Sequence, residues 1–481
     1  MKKTTLLFSV GMAFILFLSS TDTALQDNHR TVSPKPPMGW NSYDAYHGAI
    51  TEKLFKASVD IIAEKMYPVG YEYAVVDFCW YHPGTKGWDP HNWTTFPVRG
   101  KPYQNGQPSG LQIDENGRLL PAFNRFPSAE GGTGFKALAD YTRAKGMKFG
   151  IHIMRGVPRQ AVEDKLPILG TSYTCDQIAE KFDTCRWNNH MYGIDASKPG
   201  AQEYYNSLFE LYASWDVDYI KVDDITTPYY RKGEVELIHN AIARCGRPMV
   251  LSLSPGQTPL AFANHLDEHA NMWRVSSDFW DSWDDLYEMF DLMNNWTPHI
   301  GNGTWPDADM IPIGKLCLTG YPQARGNKNH SKVEHYSRFS YDEKQMLMTL
   351  WSVSRSPLMW GGDPLSLDDE TIQLLCNKEV LEVNQNSENN RQIYAKFRGD
   401  GQLQVWFADI PNSEDKYIAF FNRGEETTDM YFDFWWEDLT GSYKFRDLWK
   451  MKDVGEFEKD EFKISLKPHS SALFKMIKTK S

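Results

Sequence analysis

The sequence predicts an α/β protein: a (β/α)8 TIM barrel followed by a C-terminal antiparallel β-sandwich. Three observations carry this reading. Strand-like runs recur between helical segments from about residue 38 to about residue 362. One of them, Tyr219-Ile220-Lys221-Val222-Asp223, alternates an apolar face with a polar face that ends in a carboxylate, as the C-terminal mouth of such a barrel requires. From about Asn390 the rhythm changes to short alternating stretches separated by turn residues.

Taken in order, the chain opens with Lys2-Lys3, an apolar run over 6–18 and then Ser19-Ser20-Thr21-Asp22-Thr23-Ala24, the layout of a secretory signal peptide. Residues 1–24 are expected to be removed, leaving a periplasmic or secreted protein. The run is shorter than the ~20 apolar residues of a spanning helix, and no later stretch is a transmembrane candidate. The barrel strands are expected at 38–42, 73–77, 148–152, 219–223, 249–254, 272–276, near 300–311 and at 357–360. A doubly wound open sheet is the alternative, and no Gly-rich nucleotide loop supports it. The segments after the second strand (81–135) and the third (155–196) exceed ordinary loop length, so on a barrel they would shape the catalytic mouth. Residues 402–408, 417–422, 430–434 and 471–476 read as sandwich strands. The expected domains are therefore a barrel over 34–386 and a sandwich over 390–479.

Composition narrows the function. A formal net charge of −12 without a long basic run leaves no nucleic-acid partner to expect. The 17 Trp suit the stacking of sugar rings as well as a heavy core. Six Cys in an exported chain permit disulfides, and the near pair Cys175/Cys185 is the expected bridge. No CxxC or Cys/His spacing suggests zinc.

Strand alternation then selects the site. Tyr219, Lys221 and Asp223 share the inner face of the fourth strand, and Asp77 ends the second strand with the same parity. Arg274 and Asp278 share parity in the sixth strand, and Ser254 ends the fifth facing the mouth. Asp77, Lys221, Asp223, Arg274 and Asp278 therefore converge on one rim from three strands, with Ser254 from a fourth. A single Lys–Asp pair could be structural, and Asp77 or Asp278 could cap a local turn; agreement among separate strands is what argues for a site. Two inward carboxylates across a barrel mouth are what glycoside hydrolysis needs: one attacks the anomeric carbon or activates water, the other protonates the leaving oxygen. Lys221 is expected to hold Asp223 ionised.

With those residues in view, the motifs Pro36-Pro37-Met38-Gly39-Trp40-Asn41-Ser42, Tyr219-Ile220-Lys221-Val222-Asp223, Trp273-Arg274 with Asp278, Trp305-Pro306-Asp307-Ala308-Asp309-Met310 and Arg355-Ser356-Pro357-Leu358 resemble glycoside hydrolase family 27. That family holds α-galactosidases and α-N-acetylgalactosaminidases, and the likeness runs from about Pro36 to Gln385. It implies a retaining mechanism with no metal or other cofactor, Asp223 as nucleophile and Asp278 as acid/base. It implies sugar-binding roles for Asp77, Lys221 and Arg274, and places Ser254, Trp40, Tyr43, Trp80 and His152 about the sugar. The sequence departs from the family pattern in three places. Phe78 replaces a second carboxylate, Tyr43 replaces a Trp, and His152 and Arg155 stand where a Tyr-x-Asp pattern is common.

The resulting expectation is an exported exo-α-glycosidase acting on terminal α-linked D-galactose-type residues of an oligosaccharide or glycoconjugate. An α-N-acetylgalactosaminidase is the near alternative, because a small Ser254 admits an acetamido group. A β-L-arabinopyranosidase or an α-glucan-cleaving enzyme stands further off. A carbohydrate-binding protein without catalysis would have no need of both Asp223 and Asp278. A metal-dependent hydrolase would use Asp307, Asp309 and His299, which lack a defensible ligand spacing.

Overall fold

The computed structural model describes residues 29–85, 110–320, 333–396, 402–459 and 462–480. The expected signal peptide lies outside the described residues, as does part of the segment after the second strand.

Eight parallel strands form one sheet: β1 (Met38–Asn41), β2 (Tyr73–Val76), β3 (Lys148–Met154), β4 (Tyr219–Asp223), β5 (Val250–Leu253), β6 (Met272–Arg274), β7 (Trp305–Asp307) and β8 (Leu358–Trp360). Neighbours run in chain order, β8 lies beside β1, and a parallel bridge from Ile311 to Trp360 joins the two ends into a barrel. Each strand leads to at least one helix: α1 (Glu52–Lys65), α2 (Lys136–Ala144), α3 (Ala201–Ser214), α4 (Lys232–Arg244), α5 (Ala263–His269), α6 (Trp283–Trp296), α7 (Tyr341–Val353), then α8 (Asp369–Leu375) and α9 (Lys378–Asn386). Local sequence starts several of them. The Thr51 side chain accepts the Leu54 N–H at the head of α1, and Ser340 with Glu343 forms a reciprocal capping box on α7.

The alternation expected of the strands sorts the core. Tyr73, Val75, Tyr219, Val250, Met272, Trp305 and Met359 pack together inside the barrel. Ala74, Val76, Ile220, Val222, Trp273 and Trp360 join the layer between strands and helices. Residue 150 faces inward, and a side chain there would meet Val75 and Tyr219 at 3.0 Å, so glycine leaves room for the two rings of Tyr73 and Tyr219.

The segment after β3 folds on itself as a three-stranded antiparallel sheet of Val157–Pro158, Ala179–Glu180 and Met191–Ile194. Cys175 and Cys185 lie in it as free, buried thiols, which corrects the expected bridge. They turn to different neighbours. Cys175 packs under the Asn116–Gly117 turn, its Sγ 4.0 Å from the Asn116 carbonyl, while the Cys185 thiol lies beside the Asp224 carboxylate. Nearness in sequence did not bring the two Cβ atoms together.

The C-terminal domain starts at Glu388 and, among the described residues, has eight strands, with the expected stretches at 402–408, 417–422, 430–434 and 471–476 falling on four of them: β9 (Glu388–Lys396), β10 (Leu403–Asp409), β11 (Lys416–Asn422), β12 (Thr428–Phe432), β13 (Ser442–Asp447), β14 (Lys452–Glu458), β15 (Phe462–Leu466) and β16 (Ser470–Lys480). Six form one antiparallel sheet, and β12 pairs with β15. Val405, Phe407, Ile418, Phe420 and Phe474 bury one face of the large sheet against β12 and β15. Trp406, Ala419, Phe421 and Leu473, of opposite parity, continue the barrel's own core through α7.

Candidate active site

The C-terminal ends of the strands open into a cleft of about 290 Å³ lined by Asp77, Phe78, Lys221, Asp223, Ser254, Arg274 and Asp278, with Tyr43, Trp187, Trp280, Asp309 and Met310 also on its wall. Five charged residues selected by parity therefore share one cavity. The aromatic faces beside them suit a pyranose ring, which is apolar on one side and edged with hydroxyls.

Asp77 is buried and accepts three hydrogen bonds, which leaves one lone pair of Oδ1 for a ligand. Its Oδ2 accepts from Asn41 Nδ2 at 2.8 Å and Lys221 Nζ at 3.1 Å, and its Oδ1 accepts the Phe78 N–H at 2.8 Å. Burial by itself would raise its pKa; the charge of Lys221 and these donors outweigh it and hold the carboxyl at about 2. Lys221 in turn is buried, and Asp77 and Asp309 keep its ammonium protonated well above the usual range against the opposing effect of burial. Its ion pair is with Asp77, whereas the sequence pointed it toward Asp223.

Asp223 is held instead by His152 and the backbone. His152 Nε2 lies 3.1 Å from Asp223 Oδ2, and the Asp224 N–H donates to Oδ1 at 2.8 Å. With Nδ1 buried and unpartnered, the imidazole proton belongs on Nε2, facing the carboxylate. His152 thus stands behind Asp223 and does not line the cleft, although it was expected to touch the sugar.

Arg274 is fully buried between two acids. Its Nη2 is 2.7 Å from Asp309 Oδ2 and 3.4 Å from Asp278 Oδ1. Asp309 also accepts the Phe279 N–H at 2.8 Å, which fixes the strand end that presents Asp278. Asp278 is the open member of the set, with 64 % of its side chain exposed against 13 % for Asp223. One inward carboxylate is therefore clamped, and the other is exposed where a leaving group would lie.

Two expected residues are elsewhere. Trp40 sits on the outer parity of β1, packs edge-on against Tyr46 and donates its indole N–H to the Gly362 carbonyl. Trp80 donates to the His152 carbonyl at 2.6 Å and packs with Phe135 and Trp215 under the helices. Both are core residues. Tyr43 does line the cleft, with the Lys221 ammonium 5.9 Å from its ring centre. Sequence reasoning had considered Asp309 only as a metal ligand and missed Asn41 and Trp187. Strand parity could have found Asn41; nothing in the sequence marked Trp187, which arrives from the long segment after β3. His299 lies on a short turn after α6, 3.9 Å from Asp267, and is not brought together with Asp307 and Asp309.

Comparison with known proteins agrees with this architecture. The family model described as Alpha galactosidase A matches residues 192–328, and that of the Alpha galactosidase C-terminal beta sandwich domain matches 400–476. Alpha-galactosidase 2 of Arabidopsis thaliana is 25 % identical, covering 99 % of this chain and 100 % of its own. A solved GH27 β-L-arabinopyranosidase from Geobacillus stearothermophilus is 43 % identical with a TM-score of 0.85, covering 93 % of this chain and 98 % of its own. A Bacillus halodurans protein named provisionally as an α-N-acetylgalactosaminidase is 39 % identical with a TM-score of 0.78, over 92 % of this chain and 97 % of its own.

Proposed function

The chain belongs to glycoside hydrolase family 27, and from that premise we propose that it is a retaining, α-galactosidase-like exo-glycosidase whose preferred terminal sugar is β-L-arabinopyranose. This sugar has the ring configuration of α-D-galactose and lacks the exocyclic hydroxymethyl group. In the double displacement, Asp223 attacks the anomeric carbon while Asp278 gives its proton to the glycosidic oxygen. Asp278 then takes a proton from the water that releases the sugar, so the anomeric configuration is kept. The clamping of Asp223 by His152 Nε2 and the Asp224 N–H supports its role as the fixed nucleophile, and the exposure of Asp278 supports proton exchange with water between the two steps. Asp77, Lys221 and Arg274 would take the ring hydroxyls.

Phe78 carries the choice of sugar. It lines the cleft next to Asp77, buried edge-on against His152 and tilted against Trp187, both at 5.6 Å between ring centres. A phenyl ring offers no acceptor to a hydroxymethyl group and leaves less room for it than a carboxylate would. The likeness to a β-L-arabinopyranosidase points the same way. The test compares kcat/KM for aryl β-L-arabinopyranoside, α-D-galactopyranoside and α-N-acetylgalactosaminide. The arabinoside should lead the galactoside by at least about tenfold, and Phe78→Asp should narrow or invert that ratio. An unmodified enzyme that prefers the galactoside would refute the choice of sugar.

Ser254 favours a second reading: its small side chain on the cleft wall leaves space beside the ring for an acetamido group. Detectable turnover of the N-acetyl substrate, lost selectively in Ser254→Glu, would support it. The apolar run over 6–18 behind Lys2-Lys3 supports export, and we place the enzyme in the periplasm or outside the cell.

A further inference from the structure

On the outer surface of the barrel, away from the cleft, α4 and α5 bring three metal-ligating side chains together. His265 and His269 are one turn apart on α5, with rings stacked 4.0 Å between centres. Glu236, on the facing side of α4, places its Oε1 3.2 Å from His265 Nε2. One ligand atom from each of the three lies within 4.8 Å of the others, and among the described residues this is the group of His, Cys, Asp and Glu side chains that could hold an ion. From this juxtaposition we propose that Glu236, His265 and His269 form a binding site for a borderline divalent transition ion, with Zn2+ as its best fit.

The supporting contacts are those of a ligand shell. A metal-bound imidazole normally turns its other nitrogen to an oxygen that fixes the ring. His265 Nδ1 is 2.7 Å from the Tyr230 hydroxyl, and His269 Nδ1 is 2.8 Å from the His265 carbonyl. Both rings are thereby oriented with Nε2 as the ligand atom. The edge of His239 packs against His269 at 5.0 Å, and its Nδ1 lies 3.2 Å from the His269 carbonyl, which steadies the end of α5.

Occupancy needs a change of tautomer at His265 and a small closing-in of the three ligand atoms, which lie within 4.8 Å of one another. Without an ion, the Tyr230 hydroxyl donates to His265 Nδ1 and the Nε2–H donates to Glu236. With an ion, Nε2 gives its lone pair to the metal, the ring proton sits on Nδ1, and it donates to the Tyr230 oxygen. No net proton is released by His265. Two imidazoles and a carboxylate at ~2.0–2.2 Å leave a fourth tetrahedral position for water, and nitrogen ligands disfavour Ca2+ and Mg2+. Glu236 is 43 % exposed, so the ion enters from solvent; the competing Lys232 ammonium, 3.7 Å from Glu236, is more exposed still and is easily displaced. The ion would staple α4 to α5, the helices that follow the strands carrying Asp223 and Ser254.

The experiment uses the full chain without an affinity tag, stripped with chelator and titrated with Zn2+ by calorimetry and with Co2+ by visible absorption. One ion per chain, a tetrahedral Co2+ spectrum and a raised Tm are expected. His269→Gln and Glu236→Gln should each weaken binding by about tenfold or more while leaving hydrolysis of an aryl glycoside unchanged. Glu236→Gln, at an exposed position, keeps the test valid if the histidine variant folds poorly. Absence of Zn2+ binding in the unmodified protein, or binding unaltered in both variants, overturns the proposal.

Discussion

At the scale of single residues, the cleft separates its carboxylates by environment, and the separation makes distinct predictions. Asp223 is gripped by His152 and the Asp224 N–H, while Asp278 lies 3.4 Å from Arg274 with 64 % of its side chain exposed. Asp223→Asn should abolish turnover of every substrate by several orders of magnitude, because no other group forms the covalent bond. Asp278→Asn should depress the glycosylation of substrates with poor leaving groups far more than that of activated aryl glycosides. Equal losses for both leaving-group classes in kcat/KM would remove Asp278 from the acid role. Asp307 behaves differently. Burial, reinforced by neighbouring Asp309, raises its pKa from 3.8 to about 6 despite Arg274. The folded chain keeps this proton up to about pH 6 and the unfolded chain loses it near ~4, so ionisation of Asp307 costs stability increasingly across that window. Asp307→Asn retains an acceptor for the Asp309 N–H, now 2.9 Å from Asp307 Oδ1. The variant should be more stable by about 3 kcal/mol at pH 7.5, with the gap closing toward pH 4 in urea denaturation. A pH-independent gap would show that the charge is not its source.

At the scale of elements, strand parity and loop length did different work. On β4 the period of two put Lys221 and Asp223 on the cleft side and Ile220 and Val222 under the helices, as the sequence required. The segment after β3 was recognisable only by its length. Its small sheet delivers Trp187 to the cleft, and it holds two thiols that turn apart. Peptide mapping under non-reducing conditions should therefore recover Cys175 and Cys185 both free, and reductant should leave the Tm unchanged. A linked peptide would mean that this segment is folded differently from the structure described.

At the scale of the whole molecule, barrel and sandwich share one apolar core through α7. Met346 to Val353 are all buried, and the helix is bound to the sandwich by Trp449 Nε1 donating to Thr349 Oγ1 at 2.9 Å and Gln345 Nε2 donating to the Ser471 carbonyl at 3.0 Å. The Arg446–Glu379 pair at 2.6 Å joins β13 to α9 at the rim, where solvent limits what it adds. The sandwich accordingly covers apolar surface that the barrel alone would expose. Calorimetry should show one cooperative transition for both domains, and Trp449→Ala should lower its Tm without splitting it, at a cost of about 2–4 kcal/mol. Two resolved transitions would show that the domains unfold independently.

The sequence by itself determined the parts of this protein that depend on local periodicity. Alternation along short β-branched runs placed eight strands and chose Asp77, Lys221, Asp223, Ser254, Arg274 and Asp278 for one rim, because a side chain's face in a strand is fixed by its count along the chain. The family motifs added the expected chemistry. What alternation does not encode is which inward residue meets which. The partner of Lys221, the placing of His152 behind Asp223, the clamp of Asp309 on Arg274 and the retreat of Trp40 and Trp80 into the core were decided by how distant segments pack. The facing of Glu236 by His265 and His269 has the same origin: each helix carries only part of the set, and their contact across the sequence creates it.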